Sequence, residues 1–208
     1  MSDQVFRAIG LTGGIATGKT AISNYLADAC GFPILDADIY AREAVQPGSP
    51  ILDSIVERYG ASILFSDGNL NRPELGNIIF CNAAERQWLE QQIHPYVRRR
   101  FVEATQIGGV HNPVSPNTLT VVLAVPLLFE ANMTDLCTEI WVVYCSPEVQ
   151  LERLMQRDGL NCDRANARIK AQMPLAQKCQ QADVVLDNSS TLDALFLQVD
   201  KQLSRLEI

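Results

Sequence analysis

The chain has 208 residues and a mass of 23.0 kDa, the size of one compact domain with at most a small insertion. Apolar residues make up 47% and charged residues 20%, a globular balance that excludes wholesale disorder. Seventeen basic against 24 acidic side chains leave a net charge of -7. That excludes a sequence-independent nucleic-acid binder, which needs a basic surface to displace counterions, but not a locally positive site for an anionic substrate.

In chain order, Val5 to Leu11 is a strand candidate, and Lys19 to Ala29 follows with Ala21, Ile22, Tyr25 and Leu26 at helical spacing. Phe32 to Leu35 is a second short strand. From about 49 to 106 the pattern is consecutive helices, apart from a short Ile63 to Phe65 piece, a turn at Ser66–Asn69, and a break at His94–Pro95 with Pro95 opening the next helix. Gly108 to Asn117 has loop composition. Leu119 to Val125 is the β-branched, leucine-rich run of a strand buried on both faces, and Ile140 to Cys145 and Ala182 to Leu186 complete five strands. Residues from about 157 to 180 are helical and polar. Strands alternating with helices predict an α/β fold: a mostly parallel five-stranded sheet with helices on both faces.

No targeting or membrane segment is expected. The N-terminus lacks a basic stretch followed by an apolar one, and the most apolar run, Leu119 to Phe129, is 11 residues long with Pro126 inside it. The six cysteines show neither CxxC nor Cys/His spacing, so they are expected to be reduced core thiols in a cytoplasmic protein.

Gly13-Gly14-Ile15-Ala16-Thr17-Gly18-Lys19-Thr20 matches GxxxxGK[ST], directly after a predicted strand and opening a predicted helix. Glycines there permit backbone angles and close approaches that a Cβ would block. Successive N–H groups then surround a nucleotide β-phosphate, Lys19 reaches the β- and γ-phosphates, and the Thr20 hydroxyl can ligate Mg²⁺. The glycine spacing excludes the dinucleotide fingerprint GxGxxG. There is no Asn-Lys pair for an NKxD base-reading motif, and Val121–Pro126 carries no acidic Walker B residue. Asp36-Ala37-Asp38 follows the second strand, where a carboxylate can take a proton from an acceptor hydroxyl or hold Mg²⁺ through water. The same pair would equally serve as a helix N-cap. Arg153 with Arg157, and Arg164 with Arg168, stand four apart, so each pair can share a helix face on a mobile cover that neutralises phosphoryl charge. Of Arg98-Arg99-Arg100, at most one or two can face a substrate.

Together with these, Pro47-Gly48, Asp67-Gly68-Asn69-Leu70-Asn71-Arg72, His94-Pro95, Pro126-Leu127-Leu128-Phe129-Glu130, Gln150–Asp158, Ala182-Asp183 and Asp187-Asn188 occur in one order along nearly the whole chain. In that order the chain resembles the dephospho-CoA kinases, small P-loop kinases related in fold to the nucleoside monophosphate kinases. The resemblance implies transfer of the ATP γ-phosphoryl group to the ribose 3′-hydroxyl of dephospho-CoA, the last step of coenzyme A synthesis, with Mg²⁺. It implies a single kinase domain with an acceptor-binding helical insertion at about 63–106 and a lid at about 157–180. It implies that Asp38 meets the acceptor hydroxyl, that Asp36 lies near the metal, and that Arg42, His94 and the Pro126–Glu130 loop (Pro126, Leu127, Leu128, Glu130) hold dephospho-CoA. Arg157 would act on the ATP phosphates from the lid, and the Asp187-Asn188 turn would border the adenine. Two positions depart from the family pattern: Ala16 replaces a common glycine, and Ala124 stands where many members carry an acidic residue, leaving Mg²⁺ to Thr20, water and the aspartates. The expected partners are two small molecules, without nucleic acid or membrane, bound by a monomer or weak homo-oligomer.

Overall fold

Val5–Gly13 forms the first strand, β1, which runs two residues further than the apolar pattern and carries the chain into the glycine-rich motif. The computed structural model describes residues 5–106 and 118–204; the loop expected at 108–117 lies outside them. β1 lies at the centre of a five-stranded parallel sheet with β2 (Ile34–Asp36), β3 (Thr118–Ala124), β4 (Glu139–Tyr144) and β5 (Val184–Asp187), in the order β2-β3-β1-β4-β5. Ile9 pairs with Val122 on one side and Glu139 on the other, and Val143 pairs with Leu186. The chain reverses its direction of winding at β1. A crevice therefore opens at the β1 C-terminus, the position where open α/β sheets bind ligands.

Both faces of the sheet are covered. Ile9 and Leu11 pack with Ile22, Leu26, Trp141, Val143, Leu195 and Val199, while Ala8, Val121 and Val142, which alternate with them, are also fully buried. Each such large side chain contributes about 1.5–3 kcal/mol on burial. The first of these faces is lined by α1 (Lys19–Asp28) and α9 (Leu192–Ser204), which touch each other. Tyr25 stacks on Phe196 and donates to Asp200 Oδ1 at 2.6 Å.

The chain divides into two compact units at Leu35/Asp36 and Glu103/Ala104, the outer segments forming one and Asp36–Glu103 the other. The second unit holds α2 (Ala37–Glu43), α3 (Pro50–Tyr59), α4 (Arg72–Cys81) and most of α5 (Ala83–Gln106) around Ala44, Leu52, Ile55, Ile63, Leu75 and Leu89. Ser49 caps α3 by accepting from Leu52 N at 3.1 Å, with Pro50 at the first helical position. The expected strand piece at Ile63–Phe65 is a 3-10 turn followed by one antiparallel bridge, Leu64 to Leu70, around the Ser66–Asn69 turn.

The break expected at His94–Pro95 is absent: α5 continues through Pro95. Leu89, Val97 and Phe101 are buried on either side of it, whereas Gln91 and Pro95 are exposed. The carbonyl that Pro95 leaves without a donor is thus on a solvated stretch, and packing on the other face keeps the helix intact.

In the first unit, α6 (Pro147–Asp158), α7 (Cys162–Lys170) and α8 (Leu175–Gln180) occupy the stretch after β4. The thiols are not all in the core. Cys145 is buried and Cys30, Cys137 and Cys179 are half-buried, but Cys162 is exposed in the first turn of α7, a polar helix that buries only Ala165. Burial pushes the Cys137 thiol up to about 12. Among the described residues, no helix is long and apolar enough to cross a membrane.

Candidate active site

The Gly13–Thr20 segment leaves β1, turns, and enters α1. Gly18 adopts φ 102°, and a Cβ there would lie 2.1 Å from Asn188 Nδ2, so both its angle and its neighbour require glycine. A Cβ on Gly13 would meet Thr17 Oγ1 and the Val143 carbonyl, each at 2.7 Å. Thr17 is buried and donates from Oγ1 to the Gly14 carbonyl at 3.0 Å, which pins the turn from inside. Ala16 takes φ 61°, a left-handed angle unusual for a residue with a Cβ. α1 begins without a side-chain cap and without an acidic residue in its first turn. Its first N–H groups and the positive end of its dipole are therefore available to an anion. Lys19 is half-buried and Thr20 exposed at this helix start, and among the described residues neither side chain has a partner.

Three carboxamides hold the loop. Gln150 Nε2 donates to Ile15 O at 2.9 Å, Gln172 Oε1 accepts from Ile15 N at 2.8 Å, and Asn188 Nδ2 donates to Thr17 O at 2.8 Å. Asn188 is buried, its backbone carbonyl accepts from Arg153 at 3.0 Å, and its buried Oδ1 has no partner among the described residues. After β3, residues 126–131 make one tight turn, closed by Ala131 N donating to Leu127 O at 2.8 Å. In it Pro126 and Leu127 are half-buried and Leu128 is fully buried. Glu130 accepts from Met173 N and from Lys178, so its carboxylate is engaged inside this unit. Arg157 is largely exposed and donates to both oxygens of Asp158, which Arg168 also meets at 2.6 Å. The two helices α6 and α7 thus bring Arg157 together with Arg168, while Arg153 turns to Asn188. Arg157 holds the Asp158 carboxyl below its ordinary range.

In the second unit, Asp36 Oδ1 accepts from Asp38 N at 2.7 Å and caps α2, the N-cap alternative. Asp38 is exposed, so its carboxylate is not consumed by the cap. Arg42 is exposed in the last turn of α2, and its carbonyl accepts from Arg72 Nη2 at 3.4 Å. Burial, and then the positive charge of Arg42, push Arg72 below its ordinary value. His94 is half-buried on α5, and burial lowers its pKa against the opposing pull of Glu90. Arg99 and Arg100 are held within the unit, Arg99 by Glu103 at 3.7 Å and Arg100 by Glu43 and Tyr96.

Comparison with known proteins decides the family. The family model for dephospho-CoA kinase matches residues 7–194. A dephospho-CoA kinase of Nostoc sp. is 58% identical over 198 residues, covering 95% of this chain and 97% of the relative. That of Synechocystis sp. is 54% identical over 196 residues, covering 94% of each. The solved dephospho-CoA kinase of Campylobacter jejuni superposes with a TM-score of 0.70 at 26% identity, covering 97% of this chain and 98% of that one.

The chain belongs to the dephospho-CoA kinase family.

Four side chains of this dephospho-CoA kinase family member take positions that its sequence does not single out. Gln150 and Gln172 bracket the Ile15 peptide; Gln150 opens the Gln150–Asp158 stretch without a role of its own there, and no signal separates Gln172 from a surface glutamine. Arg72 lies at the end of the DGNLNR stretch and sits beside Arg42 without an acidic partner among the described residues, a pairing of like charges that suits an anion. Lys178 was grouped with the polar residues of the 157–180 stretch, yet it is 0% exposed.

Proposed function

We propose that this kinase transfers the γ-phosphoryl group of Mg-ATP to the ribose 3′-hydroxyl of dephospho-CoA, giving coenzyme A and ADP. The observation that carries the ATP half is the uncapped α1 start with Lys19 free at its entrance, behind a loop that only glycine can form at Gly18. The reaction makes one O–P bond and breaks another. The 3′-oxygen attacks in line, its proton passes to the Asp38 carboxylate, and ADP leaves with the bridging oxygen. Lys19 and Arg157 would spread the charge that develops on the equatorial oxygens, Arg157 leaving its exposed pairing with Asp158 to do so. Hard oxygen donors suit Mg²⁺, and Thr20 with Asp36 are the side chains that would help hold it alongside ATP; β3 ends at Ala124, without a carboxylate. When bound, such an ion would supply positive charge that offsets the charge of the phosphates.

The buried, unpartnered Asn188 Oδ1 is an acceptor suited to the adenine amino group. Arg42 and Arg72 would share the diphosphate of dephospho-CoA, and His94, kept neutral by burial, would donate or accept a hydrogen bond without adding charge. Pro126 and Leu127 offer half-buried apolar surface to the acceptor. The reduced thiols motivate a cytoplasmic setting. A coupled ADP-release assay with dephospho-CoA, run against nucleosides and nucleoside monophosphates, tests the acceptor. Turnover is expected with dephospho-CoA alone, and preference for a monophosphate would overturn the reading. Lys19→Ala and Asp38→Asn should each lower kcat by at least about 100-fold, the scale of lost charge stabilisation or base function.

A further inference from the structure

A lysine that excludes water completely needs an acceptor for each of its three protons. Lys178, on α8, has them. Its Nζ lies 2.9 Å from Glu130 Oε1, 3.1 Å from Pro126 O and 3.5 Å from Gly13 O. Those acceptors belong to separate segments of the site: the C-terminus of β1, where the phosphate loop begins, and the two ends of the turn after β3. Glu130 carries the connection onward, because its Oε1 also accepts from Met173 N at 2.9 Å. Met173 is the residue after Gln172, whose side chain accepts from Ile15 N inside the phosphate loop. The chain from Lys178 therefore closes on itself: Gly13, Lys178, Glu130, Met173, Gln172, Ile15.

Stability alone does not explain such a residue. A buried ion pair gives up most of its attraction to desolvation, and an apolar side chain of equal length often stabilises as well or better. What an apolar side chain cannot do is fix the relative positions of three carbonyl and carboxylate groups at once. We infer that Lys178 is a positioning residue for phosphoryl transfer: through Glu130 it fixes the Gln172–Met173 segment between α7 and α8, so that Gln172 holds the Ile15 peptide in the conformation that receives ATP. Neither Lys178 nor Gln172 touches the reacting atoms. Both act through the shape of the loop; the effect of Gln172 belongs to ATP, whereas Lys178 also holds the turn after β3 that would face the acceptor. The inference rests on the kinase reading for its assay, but nucleotide binding can be measured without any acceptor.

The test is a double-mutant cycle read by ATP titration and by steady-state kinetics. Gln172→Leu should raise the Kd and KM for ATP about tenfold and leave the KM for dephospho-CoA within twofold. Lys178→Met should raise the Kd and KM for ATP by a similar factor, and the double variant should be no weaker toward ATP than about tenfold, because the second change removes nothing further from a loop already released. Lys178→Gln, which is polar but too short to reach all three acceptors, takes the place of Lys178→Met in the cycle where that variant gives no cooperative melt. Unchanged ATP affinity in Gln172→Leu, or losses that multiply to about 100-fold in the double variant, would overturn the inference. A loss shared equally between ATP and acceptor, tracking the fall in Tm, would make the lysine structural only and would equally sink it. Failure of the wild-type protein to turn over dephospho-CoA is a separate result, which rejects the acceptor and leaves the ATP titrations to decide the role of Lys178.

Discussion

At the scale of single residues, the phosphate loop contains one position where sequence and backbone disagree. Ala16 stands at φ 61° in a loop whose other left-handed residue is Gly18. A Cβ in that region costs about 1–2 kcal/mol, whereas a glycine adds about 0.4–1 kcal/mol of unfolded-state entropy to be lost on folding. Ala16→Gly should therefore stabilise the protein by up to about 1 kcal/mol, with the ATP KM within twofold, as urea unfolding and kinetics would show. A clear destabilisation would mean that residue 16 does not hold its left-handed angle in solution. The motif glycines were legible because their function is stereochemical and local. Lys178 was not, because nothing in a sequence distinguishes a lysine in solvent from one whose three protons meet Gly13, Pro126 and Glu130, residues 48 to 165 positions away. Asp36 and Asp38 fall between: the pattern allowed a cap or a functional pair, and the structure gives the cap to Asp36 and leaves Asp38 exposed.

At the scale of elements, apolar runs bounded by glycine, proline or charge located all five strands to within two residues; the central β1, β3 and β4 are largely buried, and the edge strands β2 and β5 are marked by short apolar runs that end at Asp36 and Asp187. The helical region was harder. Pro95 is a strong local stop signal, and α5 overrides it by burying Leu89, Val97 and Phe101, a tertiary effect that no local pattern contains. The start of α5 is held to the end of α3 by a fork of Arg58 on Glu85, at 2.6 and 2.9 Å, with the Tyr59 hydroxyl donating to the same carboxylate at 2.6 Å. The Arg58 guanidinium holds the Glu85 carboxyl down at about 2, against an ordinary value of 4.5. A depressed acid stabilises the fold above its unfolded value and loses that contribution as pH falls through the folded one. The α3–α5 contact should thus weaken between about pH 4.5 and pH 2. Glu85→Gln should lower the urea midpoint at pH 7 and flatten its pH dependence across that window. An identical acid slope in the variant and the parent would show that Glu85 does not carry the effect.

For the whole molecule, a net charge of -7 says little about a site for ATP, because the groups proposed to meet phosphate are few and placed: the N–H donors at the α1 start, Lys19, and Arg157 on the surface of α6. Lys178, the most deeply buried cation among the described residues, is offset by Glu130 and adds little to the outer field. If the loop is the nucleotide site, Mg-ATP binds the native state and not the unfolded chain, and the melting temperature must follow its concentration. At about 100 times the Kd the gain is about 2.7 kcal/mol. For a chain of this size each kcal/mol moves Tm by about 2–4 °C, so a rise of about 5–11 °C is expected. Lys19→Ala should lose the rise at the same concentration while keeping the parent Tm without nucleotide. A melt with two transitions would be more informative still, since only the transition of the unit that carries Gly13–Thr20 should move. A shift confined to the other transition, or none at all with Mg-ATP in excess, would take the nucleotide away from this loop.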